Sequence, residues 1–577
     1  MLNIEQAVQQ KFPNFQHQKP WVRIPTLGFL RKITHEQEVN RFLELHKQLE
    51  GFDFIDEVLD YFNFSYSITH RHRNNIPATG RVVIVANHPL GALDGLCLLK
   101  LVGEVRRDVK IVANDMLLNF AALNSLFLPV DNLSKSTRKS SIARIVECLN
   151  NDEAVIVFPA GEVSRIRPGG VRDGKWNTGF LNFAKKTQSP ILPIYVEARN
   201  SSLFYSASMV YKPLSGMMLA HEMFNKNSKT IAMRVGEPIA YQQLEQLPLV
   251  KSEKAKLLRR HLYRMAKGKK PLFVTEQTIA HPQERRAIKK ELQQAELLGE
   301  TADNKKIYLF DYQPNSAVMQ EIGRLREITF RQVGEGTGKK RDLDQYDRDY
   351  RHLILWDEQE LEIAGAYRIG EVARIMGSGH TIYTSELFDF NPAMQGYFPQ
   401  SIELGRSFVS PKYWGKRSLD YLWYGIGAYL KRYPEIRYLF GPVSLSNTYP
   451  DFAKALIVSF YQKHFADSEG LATARVPTSF DNDIQQRVCS TLLNQDADSD
   501  FMAMREQLAH MNVTVPTLYK QYADICEPSG VRFIDFNVDA NFGSCIDGLV
   551  MVDLQQLKPA KRKRYLGEKN VQAQPQP

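Results

Sequence analysis

A histidine at the end of an apolar run is the first group in this chain equipped for chemistry. In Val85-Ala-Asn-His-Pro-Leu-Gly-Ala-Leu-Asp-Gly95, His88 leaves the buried-strand pattern of Arg81–Ala86, and five residues separate it from Asp94. An imidazole can take a proton from an attacking hydroxyl, and a carboxylate can fix its tautomer and stabilise the imidazolium. A turn at Pro89–Gly91 must bring the two side chains together, since positions six apart lie on different faces of a continuous helix. No Gly-x-Ser-x-Gly nucleophile is present, so direct transfer to a bound hydroxyl suits these residues better than a covalent enzyme intermediate. The bland alternative is that Asn87, His88 and Asp94 cap a helix and a turn. Further along, Phe158-Pro-Ala-Gly-Glu-Val-Ser-Arg165 follows another apolar run. Its Gly161 permits close backbone approach, while Glu162 and Arg165 offer both signs of charge to a polar head group.

The second half holds a different set. Arg326 and Phe330 stand four apart, on one face of a helix. An acidic run contains Asp342, Asp344, Asp347 and Asp349; Arg368 follows in Ala364-Gly-Ala-Tyr-Arg-Ile369, then Glu403 and Arg406 in Glu403-Leu-Gly-Arg-Ser-Phe-Val409. An amine must lose a proton before it attacks a thioester, and Glu403 is a reasonable base, directly or through water. A regular strand would put Glu403 and Arg406 on opposite faces, and Gly405 between them permits a bulge. Taken singly, the acidic run reads as a solvated loop and Glu403/Arg406 as an ordinary ion pair. Pro411-Lys-Tyr-Trp-Gly-Lys-Arg417 adds Lys412, Lys416 and Arg417 where an anionic donor could be met.

Short apolar runs spaced by helical stretches position these groups: Val109–Val112, Ala154–Phe158 and Ile191–Val196 in the first half, with a second alternation from Ile307. In the first half this pattern predicts an α/β layer around a largely parallel sheet, and the second half repeats the strand–helix alternation. The expected divisions are a helical segment over 1–75, an α/β domain over 76–250, a charge-dense helical linker over 251–305, a second α/β domain over 306–557 and a basic, disordered tail over 558–577. Five cysteines without a CxxC pair argue against a disulfide scaffold or a cysteine zinc site and favour a reducing compartment. No metal site is expected. The amino terminus lacks a secretory pattern, and Met116–Val130, the nearest approach to a membrane span, is too short and contains two asparagines. The net charge of +10 favours anionic partners. Without zinc-finger spacing or an RNP-like aromatic motif, nucleic acid is not expected among them.

In series, the His…Asp block, Phe158–Arg165, Lys175-Trp-Asn-Thr-Gly179 and Pro190-Ile-Leu-Pro193 resemble the glycerolipid (lysophospholipid) acyltransferase family over roughly residues 70–245. The resemblance implies His88 as base, Asp94 as its orienter, Glu162 and Arg165 at the acceptor, and an acyl thioester donor. Ala160 occupies the usual glutamate position, with Glu162 displaced by two, which leaves room for an acceptor other than lysophosphatidate. Over about 307–557 the chain resembles the acyl-homoserine-lactone synthases and, more closely, the hemolysin-like ornithine N-acyltransferases, both of the GNAT fold. The matching positions are Arg326, Phe330, Asp344, Asp347, Arg368, Glu403 and Arg406. The GNAT pyrophosphate loop is replaced by Pro411–Arg417, which favours acyl carrier protein over CoA as donor. The whole chain resembles the bifunctional ornithine lipid synthases of bacteria. That resemblance implies N-acylation of ornithine by 3-hydroxyacyl-ACP in the second half, then O-acylation of the lyso-lipid hydroxyl by acyl-ACP or acyl-CoA in the first. No bound cofactor is implied. The expected setting is peripheral, on inner-membrane lipids at the cytoplasmic face. Glycine or serine lipids, lysophosphatidate O-acylation beside a separate GNAT activity, and a non-catalytic membrane-active hemolysin stay as alternatives.

Overall fold

The computed structural model describes residues 3–11, 15, 18–113, 120–130, 135–167, 170–210, 212–225, 229–493 and 496–567. It separates into two compact units, Met1–His281 and Pro282–Pro577, each a mixed α/β body.

The strands described in the first unit are β1 (Ser65–Ser67), β2 (Val82–Ala86), β3 (Val109–Ala113), β4 (Phe127–Pro129), β5 (Ala154–Val157), β6 (Arg165–Arg167), β7 (Gly170–Arg172), β8 (Ile191–Glu197) and β9 (Thr230–Val235). Seven of them make one sheet in the order β1-β9-β8-β2-β5-β3-β4, with β6 and β7 forming a separate hairpin. All pairs in the sheet are parallel except β8 with β9. Every residue of β2 and β5 is buried, as a central strand covered on both faces must be. Period-two alternation divides β2 between two cores. Val82, Ile84 and Ala86 face the one containing Leu93 and Leu98 of the helix Ala92–Gly103, while Val83 and Val85 face the one containing Phe180 and Leu258.

Three expectations of organisation need correction here. The helix Lys251–Met265 is no linker: Ala255, Leu258 and Leu262 recur at helical spacing and are buried in the second core. Its many charges mark only its solvent face, and the chain divides later, after His281. The helix Arg285–Leu292 likewise buries Ile288 and Leu292 in the second unit. The first 75 residues are not wholly helical, because β1 adds to the sheet edge with Tyr66 opposite Ile231. Of the apolar stretch Met116–Val130, the part up to residue 119 lies outside the described residues. The rest supplies β4, which pairs with β3.

In the second unit the strands are β10 (Glu296–Glu300), β11 (Lys305–Asp311), β12 (Arg351–Asp357), β13 (Glu362–Glu371), β14 (Phe388–Phe390), β15 (Ser401–Val409), β16 (Tyr438–Leu445), β17 (Ala472–Ala474), β18 (Val531–Asp539) and β19 (Cys545–Asp553). Eight form the main sheet, β10-β11-β12-β13-β15-β16-β19-β18, in which only β15 and β16 are parallel. These two pair only from Ser401/Tyr438 to Glu403/Phe440 and then part. The helix Ala317–Gln332 covers one face with Phe310, Ile354 and Phe408, and the helices Ser418–Arg432 and Asp451–His464 cover the other. The basic tail also differs from expectation: Pro559–Leu566 is a helix packed on Ser418–Arg432, and 568–577 lie outside the described residues. Among the described residues no helix is long and apolar enough to cross a membrane.

Candidate active sites

In the first unit, β2 ends at Ala86 and the chain turns sharply before the helix Ala92–Gly103. Gly91 makes that turn with a φ of 94°, a value costly for any residue with a Cβ. The turn brings Asp94, in the first turn of the helix, back over the loop. Its Oδ2 accepts the N–H groups of Leu90 (2.7 Å) and Gly91 (3.2 Å) and lies 3.3 Å from His88 Nδ1. Asp94 is fully buried and His88 is 19% exposed. Burial pushes the Asp94 carboxyl above the usual carboxylate range, and His88 works against that shift.

The rest of the loop is held by five residues. The His88 ring stacks on Phe158, the residue just after the neighbouring strand β5, with centroids 3.9 Å apart. His88 C=O accepts the Ser164 N–H at 2.7 Å, and Pro89 C=O accepts from the Asn200 amide at 3.0 Å. Asn87 exchanges two hydrogen bonds with the backbone of Val196 on β8. Asp173, which the sequence reading missed, is fully buried and gathers three segments. Its carboxylate accepts the His88 N–H (3.3 Å), the Ser164 hydroxyl (2.5 Å) and the Trp176 indole N–H (2.8 Å). The available signal was a single aspartate just before the Lys175–Gly179 block. Glu162 and Arg165 sit 3.6 Å apart next to Ser164, with Arg165 opposite Arg172 in the β6–β7 hairpin. An apolar group of Val163, Phe204, Tyr205 and Met218 lies beside them, and Leu219 reaches Gly91.

In the second unit three arginines and three aspartates interlock. Arg326, fully buried, donates to Asp347 at 2.8 Å; Arg368 donates to Asp344 at 2.7 Å; Arg406 lies 3.3 Å from Asp342 and 3.6 Å from Asp344. Burial would raise the Asp347 carboxyl, but Arg326 and Arg368 overcome it and hold the group well below the usual range. Asp342, less well paired, is pushed up by its burial. The acidic run is therefore no solvated loop: Asp342 and Asp347 are core residues. The expected bulge is present between β13 and β15, but the left-handed residue is Arg406 (φ 48°) and not Gly405. Its guanidinium packs over Tyr383 and Phe542, and Phe542 meets Phe330 edge-on at 5.0 Å. A side chain clamped by two rings and two aspartates can hold the strain that a glycine would avoid.

Glu403, 1% exposed, is closed in by the protein's own donors. It accepts from the Tyr350 hydroxyl, the Tyr383 N–H (3.2 Å) and the Thr384 N–H (2.8 Å), and burial raises its carboxyl. Lys412, expected to face a donor, is engaged by Glu360 at 2.5 Å and Glu362 at 2.6 Å. Lys416 lies over the Tyr413 ring, and Arg417 shares Asp420 with Arg564 of the last helix. Where β15 and β16 part, the structure adds three carboxylates absent from the sequence reading. Glu335 accepts the Ser444 hydroxyl at 3.0 Å, Asp547 stands opposite Ser444 on β19, and Asp539 accepts the Tyr383 hydroxyl at 3.3 Å. Burial pushes Glu335 up to about 7, and burial together with Asp539 and Glu335 raises Asp547 well above its ordinary value. A glutamate between two glycines, Gly334-Glu-Gly336, was the legible hint. Among the described residues no three of His, Cys, Asp and Glu group as they would around a metal ion.

Residues 8–269 match an acyltransferase family model and residues 325–424 match the acetyltransferase (GNAT) domain. A glycine N(alpha)-acyltransferase of Bacteroides thetaiotaomicron is 32% identical over 302 residues, covering 48% of this chain and 88% of that protein. A lyso-glycine lipid O-acyltransferase of Phocaeicola vulgatus is 30% identical over 227 residues, 38% of this chain and 80% of that protein. An L-ornithine N(alpha)-acyltransferase of Brucella abortus is 30% identical over 157 residues, 24% of this chain and 54% of that protein. An amine-type and a hydroxyl-type relative thus both align with one polypeptide, whose two sheets carry separate clusters of ionisable groups. The chain belongs to the acyltransferases and joins an acyltransferase-family domain to a GNAT domain.

Proposed function

We propose that the chain makes a diacylated aminolipid in two steps. The GNAT unit acylates the α-amine of ornithine with a 3-hydroxyacyl group from acyl carrier protein. The first unit then esterifies that 3-hydroxyl from a second acyl thioester, supplied on carrier protein or CoA. In this reading His88 takes the hydroxyl proton and Asp94 holds its ring, while Glu162 and Arg165 meet the two charges of the head group. The apolar wall of Val163, Phe204 and Met218 accommodates an acyl chain. In the second unit Arg326, Arg368, Asp344 and Asp347 hold the floor of the amine site, and Phe330 and Arg406 stand at its mouth. Lys412, Lys416 and Arg417 flank the donor side. A chain with a lipid acceptor works at a bilayer, here from the cytoplasmic face of the bacterial inner membrane, and among the described residues no helix is long and apolar enough to span it.

The observation that carries ornithine is the excess of carboxylate where β15 and β16 part. Glu335, Asp539 and Asp547 gather there, while the nearby Arg406 is already matched by Asp342 and Asp344. A diamino acid brings a second ammonium for Asp539 and Asp547 to face, and its approach favours their charged forms. The second reading is glycine, favoured by the relatives of that name that align over most of their length. Expression in a bacterium without aminolipids, followed by lipid mass spectrometry, decides between them. Diacylated ornithine lipid is the expected product, with only the monoacylated form in His88→Ala. Diacylated glycine lipid would select the second reading, and neither product would refute both.

A further inference from the structure

We propose that Glu335 is the general base of the amine-acylating unit, the group that takes the proton from the acceptor ammonium. The inference rests on the N-acylation reading above and replaces Glu403 in that role.

A base must reach its proton. Glu403 is 1% exposed, and both of its oxygens are occupied by donors from the protein itself: Tyr350, Tyr383 and Thr384. Those bonds tie the short turn Tyr383–Glu386 to β15, so Glu403 works as a fastening for the turn that carries Tyr383. Glu335 is placed differently. It is half-buried, on the loop that leaves the helix Ala317–Gln332, and its Oε2 accepts the Ser444 hydroxyl. Ser444 lies on β16 four residues beyond Phe440, the last residue to pair with β15, so Glu335 borders the gap between these strands. The loop is fixed from two sides. The backbone of Gly334 is pressed against Ser446 and Thr448 beyond β16, and the turn at Gly543 is pressed against Gly334 and Glu335. Gly334 and Gly336 both have positive φ, at 79° and 107°, which lets the loop set this one side chain inward.

The groups facing Glu335 set its proton affinity. Ser444 donates to it from β16, and Arg406 on β15 favours its charged form; Asp547 and Cys545 on β19, with Tyr449 and Tyr519, surround it with acidic or neutral partners. Burial outweighs Arg406 and Ser444 and leaves the carboxyl at about 7, where an acid–base group is most useful at neutral pH.

The step balances as follows. Glu335 removes one N–H proton from the acceptor ammonium, and the freed lone pair attacks the thioester carbonyl carbon. The C–N bond forms as the C–S bond breaks. A second N–H proton leaves with the thiolate as free thiol, and Glu335 returns its own proton to solvent.

The test uses the full chain, a 3-hydroxyacyl carrier-protein donor and ornithine, with rates measured from pH 6 to 9.5. The wild type should show kcat/KM for the amine rising with an apparent pKa near 7. Glu335→Gln should lose about 10²–10⁴-fold at pH 7 with the donor KM held, and its residual rate should climb with the free-amine fraction instead. Glu335→Asp should recover part of the rate and restore a limb near neutrality. Matching thermal melts for the three proteins exclude misfolding as the cause. A Glu335→Gln enzyme within threefold of wild type, or one that keeps the limb near 7, overturns the assignment while leaving N-acylation in place. A wild type that acylates no amino acid overturns both.

Discussion

Replacing Asp94 by asparagine separates its two duties, because one oxygen performs both. Oδ2 accepts the Leu90 and Gly91 N–H groups and faces His88 Nδ1 at 3.3 Å. An asparagine with its carbonyl oxygen in that place keeps the cap of the helix and the neutral contact to the ring. Only the charge disappears, and with it the attraction to the imidazolium that the proposed deprotonation of the hydroxyl would form. At 3.3 Å and an effective dielectric of ~20 that attraction is about 5 kcal/mol. A residual dipole contact returns part of it, so a fall in kcat of about 10³ is expected at ~1.4 kcal/mol per tenfold. Stability should move the other way. Burial raises the folded-state pKa of Asp94, so its contribution is fully present below the unfolded carboxylate pKa and is lost as pH rises through the folded value. At pH 7–8 Asp94→Asn should therefore melt at or above wild type, with the difference closing as pH falls below ~4. The assay is the initial rate of diacyl product from a synthetic lyso-aminolipid and an acyl thioester, read beside a melt of the same sample. Retention of more than a tenth of wild-type activity, or activity and melting temperature falling together, would refute the reasoning.

Arg326→Ala should destabilise the second unit by about 3–5 kcal/mol, because it strips a buried aspartate of its main partner; denaturant unfolding of the full chain checks this. Reversing the charge of Lys416, Arg417 and Arg564 together should raise the KM for acyl carrier protein about tenfold and leave that for the amine unchanged. The difference should vanish near 1 M salt, where screening acts over ~3 Å, and an unchanged KM at low salt would remove the patch from donor binding.

Much of this architecture can be read from local pattern. The runs Val82–Ala86 and Ala154–Val157 are apolar on both faces and became central strands, and the His88–Asp94 spacing demanded a turn that Gly91 supplies. Arg326, Asp347, Arg368 and Asp344 were legible as a set because each recurs in a motif, although pairing across the sheet was not. What escaped depended on distance along the chain. Asp173 matters because it meets His88, 85 residues away, and Glu335 because it meets Ser444, 109 residues away. Neither has a motif of its own. The helix Lys251–Met265 was hidden by counting charges on its outer face and overlooking the Ala255, Leu258, Leu262 stripe beneath.

The three-residue strand β1 has a practical consequence for anyone cutting this enzyme apart. It covers the outer edge of β9, with Ser65, Tyr66 and Ser67 opposite Thr230, Ile231 and Ala232. A fragment trimmed to residues 76–250 would bare a row of unpaired backbone groups along β9 and also lose Leu258 and Leu262 from beneath the sheet. Such an edge is a template for intermolecular pairing, so the fragment should precipitate however intact its His88 loop. Cutting between His281 and Pro282 keeps both the edge cover and the buried helix, and that is the cleavage at which the acyltransferase-family unit should be handled alone.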